Sequence, residues 1–170
     1  MLWNSEQWKE QFERLSTQRN VKQKEEVKFL LRNMRADVFK HTVFLVQQGY
    51  YYNGEEKRIN FPGARTLVTD TKFYESPQTV HHIPTIDHET IVKVENIDCL
   101  LAAEGLLTEG YHPAVLNMAS RRNPGGGVVT GAGAQEENLF RRSNLFQSLY
   151  QFAPFAEEYS LRKSNYQYPL

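Results

Sequence analysis

The chain has 170 residues and a mass of 19.8 kDa, and its twenty Lys and Arg balance twenty Asp and Glu for a formal charge of zero. A balanced charge argues against a general nucleic-acid binder, which needs a strongly basic surface. At 40% hydrophobic residues the chain has material for a core, and its single Cys99 excludes an intrachain disulfide framework and a multi-cysteine zinc site. No apolar run approaches the roughly 20 residues of a membrane span. The N-terminus MLWNSEQWKEQFERL lacks the apolar core of a signal peptide. The expectation is a soluble, cytoplasmic protein with no membrane partner.

The first third reads as helical. Trp8, Phe12 and Leu15 recur at helical spacing and give one apolar stripe. Lys22 to Asn33 is rich in helix formers, and Arg35 to Gln48 carries a stripe of Val38, Thr42 and Leu45, with Gly49 placed as a C-terminal cap. Tyr50 to Tyr52, Asn53-Gly54 and Lys57 to Phe61 predict a hairpin, with a loop lengthened by Glu55 and Glu56. Residues 62 to 88 read as irregular, punctuated by Pro62, Gly63, Pro77 and Pro84. His81, His82, Asp87 and His88 lie there without a second cluster at ligand spacing, so a solvated loop is favoured over a metal site.

Thr90 to Val94 predicts a strand from its β-branched content, and Asp98 is placed to cap a helix running from Leu100 to Leu107 and stopped by Gly110. Pro113 to Met118 is a short apolar run of the kind found in buried parallel strands. Strand, helix and strand within about thirty residues predict a βαβ unit. A glycine-rich segment follows directly, and a helix is expected from Gln135, packing through Leu139, Phe140 and Leu145 or Phe146.

Five of the ten glycines lie between Gly125 and Gly133. Glycine lets backbone N–H groups approach a ligand, and a helix start at Gln135 adds unpaired donors, so the segment suits a phosphate or diphosphate. It is neither a Walker A loop, since no lysine lies between Lys93 and Lys163, nor a GxGxxG fingerprint, since residue 136 is glutamate. Glu136 and Glu137 would repel a phosphate they faced, which points them toward sugar hydroxyls or a bond being broken. On composition alone, a flexible linker with acids at a helix N-terminus is an equal reading.

The run Asn117-Met118-Ala119-Ser120, then Asn123-Pro124-Gly125-Gly126-Gly127, seven residues, and Gln135-Glu136-Glu137 resembles the signature of microbial-type poly(ADP-ribose) glycohydrolases. Arg35 to Tyr52, Val94 to Ala103 and Arg141 to Leu145 are similar to the flanking stretches of that family, so the resemblance covers roughly residues 33 to 170. It implies an α/β macrodomain-like fold: a mixed, largely parallel sheet flanked by helices, here with a helical N-terminal extension over residues 1–32. No second glycine-rich loop is read in residues 138 to 170, so the C-terminal part of that fold is expected to be absent.

By position, the resemblance makes Glu137 the catalytic acid and Glu136 the residue that hydrogen-bonds the scissile ribose, with Gln135 as their brace. It sets Gly125, Gly126 and Gly127 against the diphosphate and distal ribose, Asn123 and Asn117 at that ribose, and Asp98 at the adenine. The implied ligand is ADP-ribose or poly(ADP-ribose), free or on ADP-ribosylated proteins. Cleavage passes through an oxocarbenium-like transition state that one carboxylic acid can serve, and no metal or cofactor is required. Adjacent residues at a helix start point about 100° apart, so the pair cannot flank one bond from opposite sides. Arg121-Arg122 and Arg141-Arg142 suit either a polyanion or a solvated surface. Two other functions remain open: a non-catalytic ADP-ribose-binding module, and one half of a split enzyme needing a C-terminal fragment.

Overall fold

The structure, a computed structural model, describes residues 3–17, 24–61, 64–72, 74 and 89–161. His81, His82, Asp87 and His88, and the punctuation at Pro62, Gly63, Pro77 and Pro84, lie outside the described residues. The chain divides into two compact units, one built from Met1–Thr71 with Met118–Leu170 and the other from Lys72–Asn117.

In the first unit, α1 (Ser5–Thr17) begins after Asn4, whose side-chain oxygen accepts the Gln7 N–H at 3.0 Å as a helix cap. Its apolar stripe faces α2 (Lys24–Gln48): Leu15 is buried and the Trp8 indole donates to the Met34 carbonyl at 3.0 Å. The two helices expected between Lys22 and Gln48 are one helix of 25 residues, because no glycine or proline interrupts the run. Gly49 ends it at φ 83°, donating its N–H to the Leu45 carbonyl at 3.0 Å.

The hairpin pairs β1 (Tyr50–Tyr52) with β2 (Arg58–Asn60) in antiparallel register, Tyr51 opposite Ile59. Its turn is not the two-residue Asn-Gly type. The Asn53 side-chain oxygen accepts the N–H groups of Glu55 and Lys57 at 3.1 and 2.9 Å, and the left-handed position is Glu56, φ 59°. A short helix, α3 (Ala64–Thr69), occupies part of the stretch expected to be irregular.

The core forms where α2 meets α5 (Gln135–Arg142) and α6 (Leu145–Tyr150). Phe39 lies 6.2 Å from Phe140 and 6.0 Å from Phe146, ring centre to ring centre, with Val46, Val128 and Tyr150 in the same cluster. Each of these large side chains contributes about 1.5–3 kcal/mol by leaving water. Burial, then the neighbouring Tyr159 and the Glu136 charge, push the Tyr150 hydroxyl well above its ordinary range, so it stays a neutral donor to Tyr159.

The second unit holds α4 (Cys99–Thr108), opened by Asp98, whose carboxylate accepts the Leu100 and Leu101 N–H groups at 3.0 and 3.3 Å. It closes at Gly110, φ 89°, with the Tyr111 N–H on the Leu106 carbonyl. On either side the expectation of a βαβ unit fails. Neither Thr90–Val94 nor Pro113–Met118 forms a strand, and the only sheet among the described residues is the two-stranded antiparallel hairpin. A largely parallel sheet is therefore not what the described residues build. An extended segment gains its hydrogen bonds only from a neighbouring strand, and none lies alongside these two among the described residues. Their side chains are correspondingly in the open, Ile91 at 77% and Val94 at 94% exposure. Among the described residues no helix is long and apolar enough to cross a membrane.

Among the described glycines, Gly131 lies closest to another stretch of backbone. It sits at φ 75°, and a side-chain carbon there would overlap the Arg32 carbonyl of α2. Gly131→Ala is expected to cost about 2 kcal/mol from backbone strain plus the forced separation. A thermal melt followed by circular dichroism should fall by several degrees.

Candidate functional site

The site grows from the loop that leads into α5. Ser120 starts a turn, its hydroxyl oxygen accepting the Asn123 N–H at 3.2 Å, and the Asn123 carbonyl then accepts the Gly126 N–H at 2.9 Å. Gly125 and Gly126 follow at φ 79° and 56°, a region that side-chain-bearing residues rarely enter. A carbon added to Gly125 would strike the Phe140 ring at 2.6 Å, and one added to Gly126 would strike the Glu137 carboxylate at 2.5 Å. The glycines are thus required by what packs against them, the core on one side and the acid on the other.

Three successive side chains of the first turn of α5 reach back to this loop. Gln135 accepts the Met118 N–H at 2.7 Å. Glu136 accepts two, Ser120 N–H on Oε2 at 2.7 Å and Gly125 N–H on Oε1 at 2.9 Å. Glu137 accepts the Gly127 N–H on Oε1 at 2.9 Å. Both carboxylates are nearly closed off from solvent, at 3% and 6% exposure. Hydrogen bonds from backbone N–H and the positive end of the α5 dipole offset the cost of holding two such groups side by side.

The two carboxylates differ in one respect. Both oxygens of Glu136 have loop N–H partners, whereas Glu137 Oε2 is buried and has no hydrogen-bond partner among the described residues. A buried oxygen without a donor is costly and needs a partner from somewhere. One turn on, Arg141 is buried at 7% exposure, donating to the Ala132 carbonyl at 2.7 Å and the Asn138 side chain at 2.8 Å. Burial and the Arg35 cation lower its pKa, and the Glu137 carboxylate opposes them. The Thr42 hydroxyl of α2 donates to the Arg141 carbonyl at 2.7 Å and ties this end of α5 to the long helix.

Of the residues singled out in the sequence, Asn123, Gly125, Gly126, Gly127, Gln135, Glu136 and Glu137 come together in the first unit. Asn123 is exposed and contributes its carbonyl to the turn. Asn117 and Asp98 belong to the second unit, where Asp98 caps α4. The expectation of a free N–H cradle at the three glycines needs correction. Their N–H groups are already taken, by Glu136, by the Asn123 carbonyl and by Glu137. What Gly125–Gly127 supply is room for close approach. Ser120 and the buried Arg141 were not picked out as parts of the site. A serine three residues ahead of Asn-Pro is a turn signal that points to the first. Nothing in the sequence distinguishes Arg141 from a surface charge.

Among the described residues no cluster of His, Cys, Asp and Glu is disposed to hold a metal ion. Neither a curated protein nor a solved structure matches the chain significantly. The family model of the microbial-type PARG (poly(ADP-ribose) glycohydrolase) catalytic domain matches residues 40–169, which take in the whole glycine loop and the first turn of α5. The chain belongs to the microbial-type PARG catalytic-domain family.

Proposed function

We infer that this chain hydrolyses the ribose–ribose O-glycosidic bonds of poly(ADP-ribose), with Glu137 as the general acid/base. The observation that carries the reading is the asymmetry of the Glu137 carboxylate: Oε1 is fixed by the Gly127 N–H and Oε2 is buried without a partner among the described residues. A group held at one oxygen and open at the other is aimed, which general acid–base catalysis requires.

In the proposed reaction, protonated Glu137 donates its proton to the leaving ribose oxygen as that oxygen's bond to the anomeric carbon of the other ribose breaks. The ring carbon becomes oxocarbenium-like. The Glu137 carboxylate then takes a proton from water as the water oxygen adds to that anomeric carbon, which restores the acid and yields two hydroxyl-ended ribose units. Glu136 holds the loop through both oxygens and anchors the scissile ribose through the second lone pairs on them. The glycines admit the diphosphate end of the ligand at close range, and Asn123, at the exposed rim, meets the distal ribose.

Two variants test this assignment. Glu137→Gln keeps the Oε1 contact and removes the acid. Polymer cleavage, followed by release of ADP-ribose, should fall by about 10²–10⁴-fold while polymer binding persists. Cleavage at the unmutated rate would remove Glu137 from the mechanism, and binding without cleavage by the unmutated chain would make it an ADP-ribose-binding module. Gly126→Ala places a methyl group against the Glu137 carboxylate. Its turnover should drop at least about tenfold, because small displacements of a catalytic group are expensive. Unchanged kinetics in this variant would show that Glu137 does not need its present position.

A further inference from the structure

The loop that leads into the site carries two side chains that the proposed reaction leaves unused. Arg121 and Arg122 stand between Ser120 and Asn123, and all three of Arg121, Arg122 and Asn123 are exposed. Pro124 and Gly125 are buried, so the chain turns inward directly after Asn123. The turn that presents the arginines is fixed to the site at both ends. The Ser120 N–H and the Gly125 N–H both end on the Glu136 carboxylate, at 2.7 and 2.9 Å, and the Ser120 hydroxyl oxygen accepts the Asn123 N–H at 3.2 Å. Consecutive Cα atoms are about 3.8 Å apart, so both arginines spring from backbone within about 8 Å of Ser120.

This stretch carries charge of one sign. Between Glu109 and Glu136 the sequence has no acidic residue, and Arg121 and Arg122 are its only Lys or Arg. The acids that close the stretch, Glu136 and Glu137, turn inward: they are 3% and 6% exposed and accept loop N–H groups. Neither the Arg121 nor the Arg122 guanidinium has a hydrogen-bond or ion-pair partner among the described residues, where the ion pairs join Lys9 to Glu13, Lys28 to Glu25 and Lys40 to Asp37. In a chain of zero net charge, the rim of the site is therefore a local concentration of two cations on an anchored turn. A guanidinium presents its donors as a flat fork that matches the oxygens of a phosphate.

We propose that Arg121 and Arg122 bind the diphosphate of the ADP-ribose unit that adjoins the one at Glu137, and so make polymer a better ligand than its single units. This rests on the glycohydrolase reading. There the glycines take the diphosphate of the bound unit and Asn123 meets its distal ribose at the exposed rim, so the rest of the polymer leaves the site past Asn123. The first anionic group along it is the next diphosphate, and the cations beside its path are the two that precede Asn123 in the turn. A contact so far from the breaking bond is equal in the ground and transition states, so it acts on KM and leaves kcat alone. It also weakens with salt, because each phosphate neutralised by an arginine releases counterions.

The test measures binding of end-labelled poly(ADP-ribose) to the full chain by fluorescence anisotropy over a salt series, beside cleavage followed by release of ADP-ribose. Arg121→Gln combined with Arg122→Gln should weaken polymer binding by about tenfold at low salt and flatten the plot of log affinity against log salt by about one unit. KM for polymer should rise with kcat unchanged. Affinity for free ADP-ribose, which has no adjoining unit, should stay the same in calorimetry. Arg121→Lys with Arg122→Lys should keep most of the polymer affinity and the salt slope. Removing two cations elsewhere, Lys9→Gln with Lys28→Gln, should leave polymer affinity as it was. A Gln pair that binds and cleaves polymer normally overturns the proposal and leaves the arginines as solvated surface. Equal losses for polymer and free ADP-ribose overturn it too, since the turn rather than its charge was then lost, as does an equal loss in the lysine variant, which would reduce the effect to net charge. If polymer binding depends on the arginines but the unmutated chain leaves polymer uncut, the rim stands as a polymer-binding surface and the glycohydrolase reading falls. Cleavage that depends on Glu137 and ignores the arginines gives the converse.

Discussion

The site depends on side-chain oxygens at the start of α5 accepting backbone N–H groups from the loop ahead of it. Four loop N–H groups, those of Met118, Ser120, Gly125 and Gly127, end on Gln135, Glu136 and Glu137. An unpaired N–H in a buried loop and an unpaired carboxylate at a helix start are each costly, and each is here the answer to the other. The loop cannot relax without stranding buried charge, and the helix cannot shift without stranding loop donors. This mutual dependence explains why glycine stands where the carboxylates and Phe140 leave no room for a side chain.

The same arrangement separates two residues of identical chemistry. Glu136 and Glu137 adjoin in sequence, are equally buried, and share one helix terminus, yet the helix turns them toward different donors. Glu136 faces Ser120 and Gly125 and is held at both oxygens; Glu137 faces Gly127 and is held at one. Behind them Arg141 and Thr42 fix α5 to the long helix, so the difference is built on rigid elements rather than on a mobile loop.

What was legible in the sequence is what local chemistry decides. The stripe of Trp8, Phe12 and Leu15, the Gly49 cap, the Asp98 cap and the start of α5 at Gln135 follow from periodicity and end-capping, which involve residues a few positions apart. The hairpin was legible in position but not in turn type, because Asn53 uses its side chain to reach Lys57 and moves the left-handed residue from Gly54 to Glu56. The sheet was not legible. Thr90–Val94 and Pro113–Met118 have the composition of strands, but a strand is a relation between segments, and composition carries no information about a partner. The clamp on the glycine loop was hidden for the same reason. Acids beside a phosphate-like loop suggest a ligand, and only the fold shows that the loop itself supplies their first partners.

The tie between Thr42 and Arg141 has a consequence for how the chain is made. The two residues are 99 positions apart, and the rings that pack around Phe39 are those of Phe140, Phe146, Tyr150 and Tyr159, all made much later. At synthesis rates of about 5–20 residues per second, α2 waits about 5–20 s for the segment that covers it. During that interval it is a helix backed by α1 whose Phe39 still lacks its ring partners. The first turn of α5 therefore completes two things at once: it closes the glycine loop on its carboxylates, and it brings the cover for the helix that was made first.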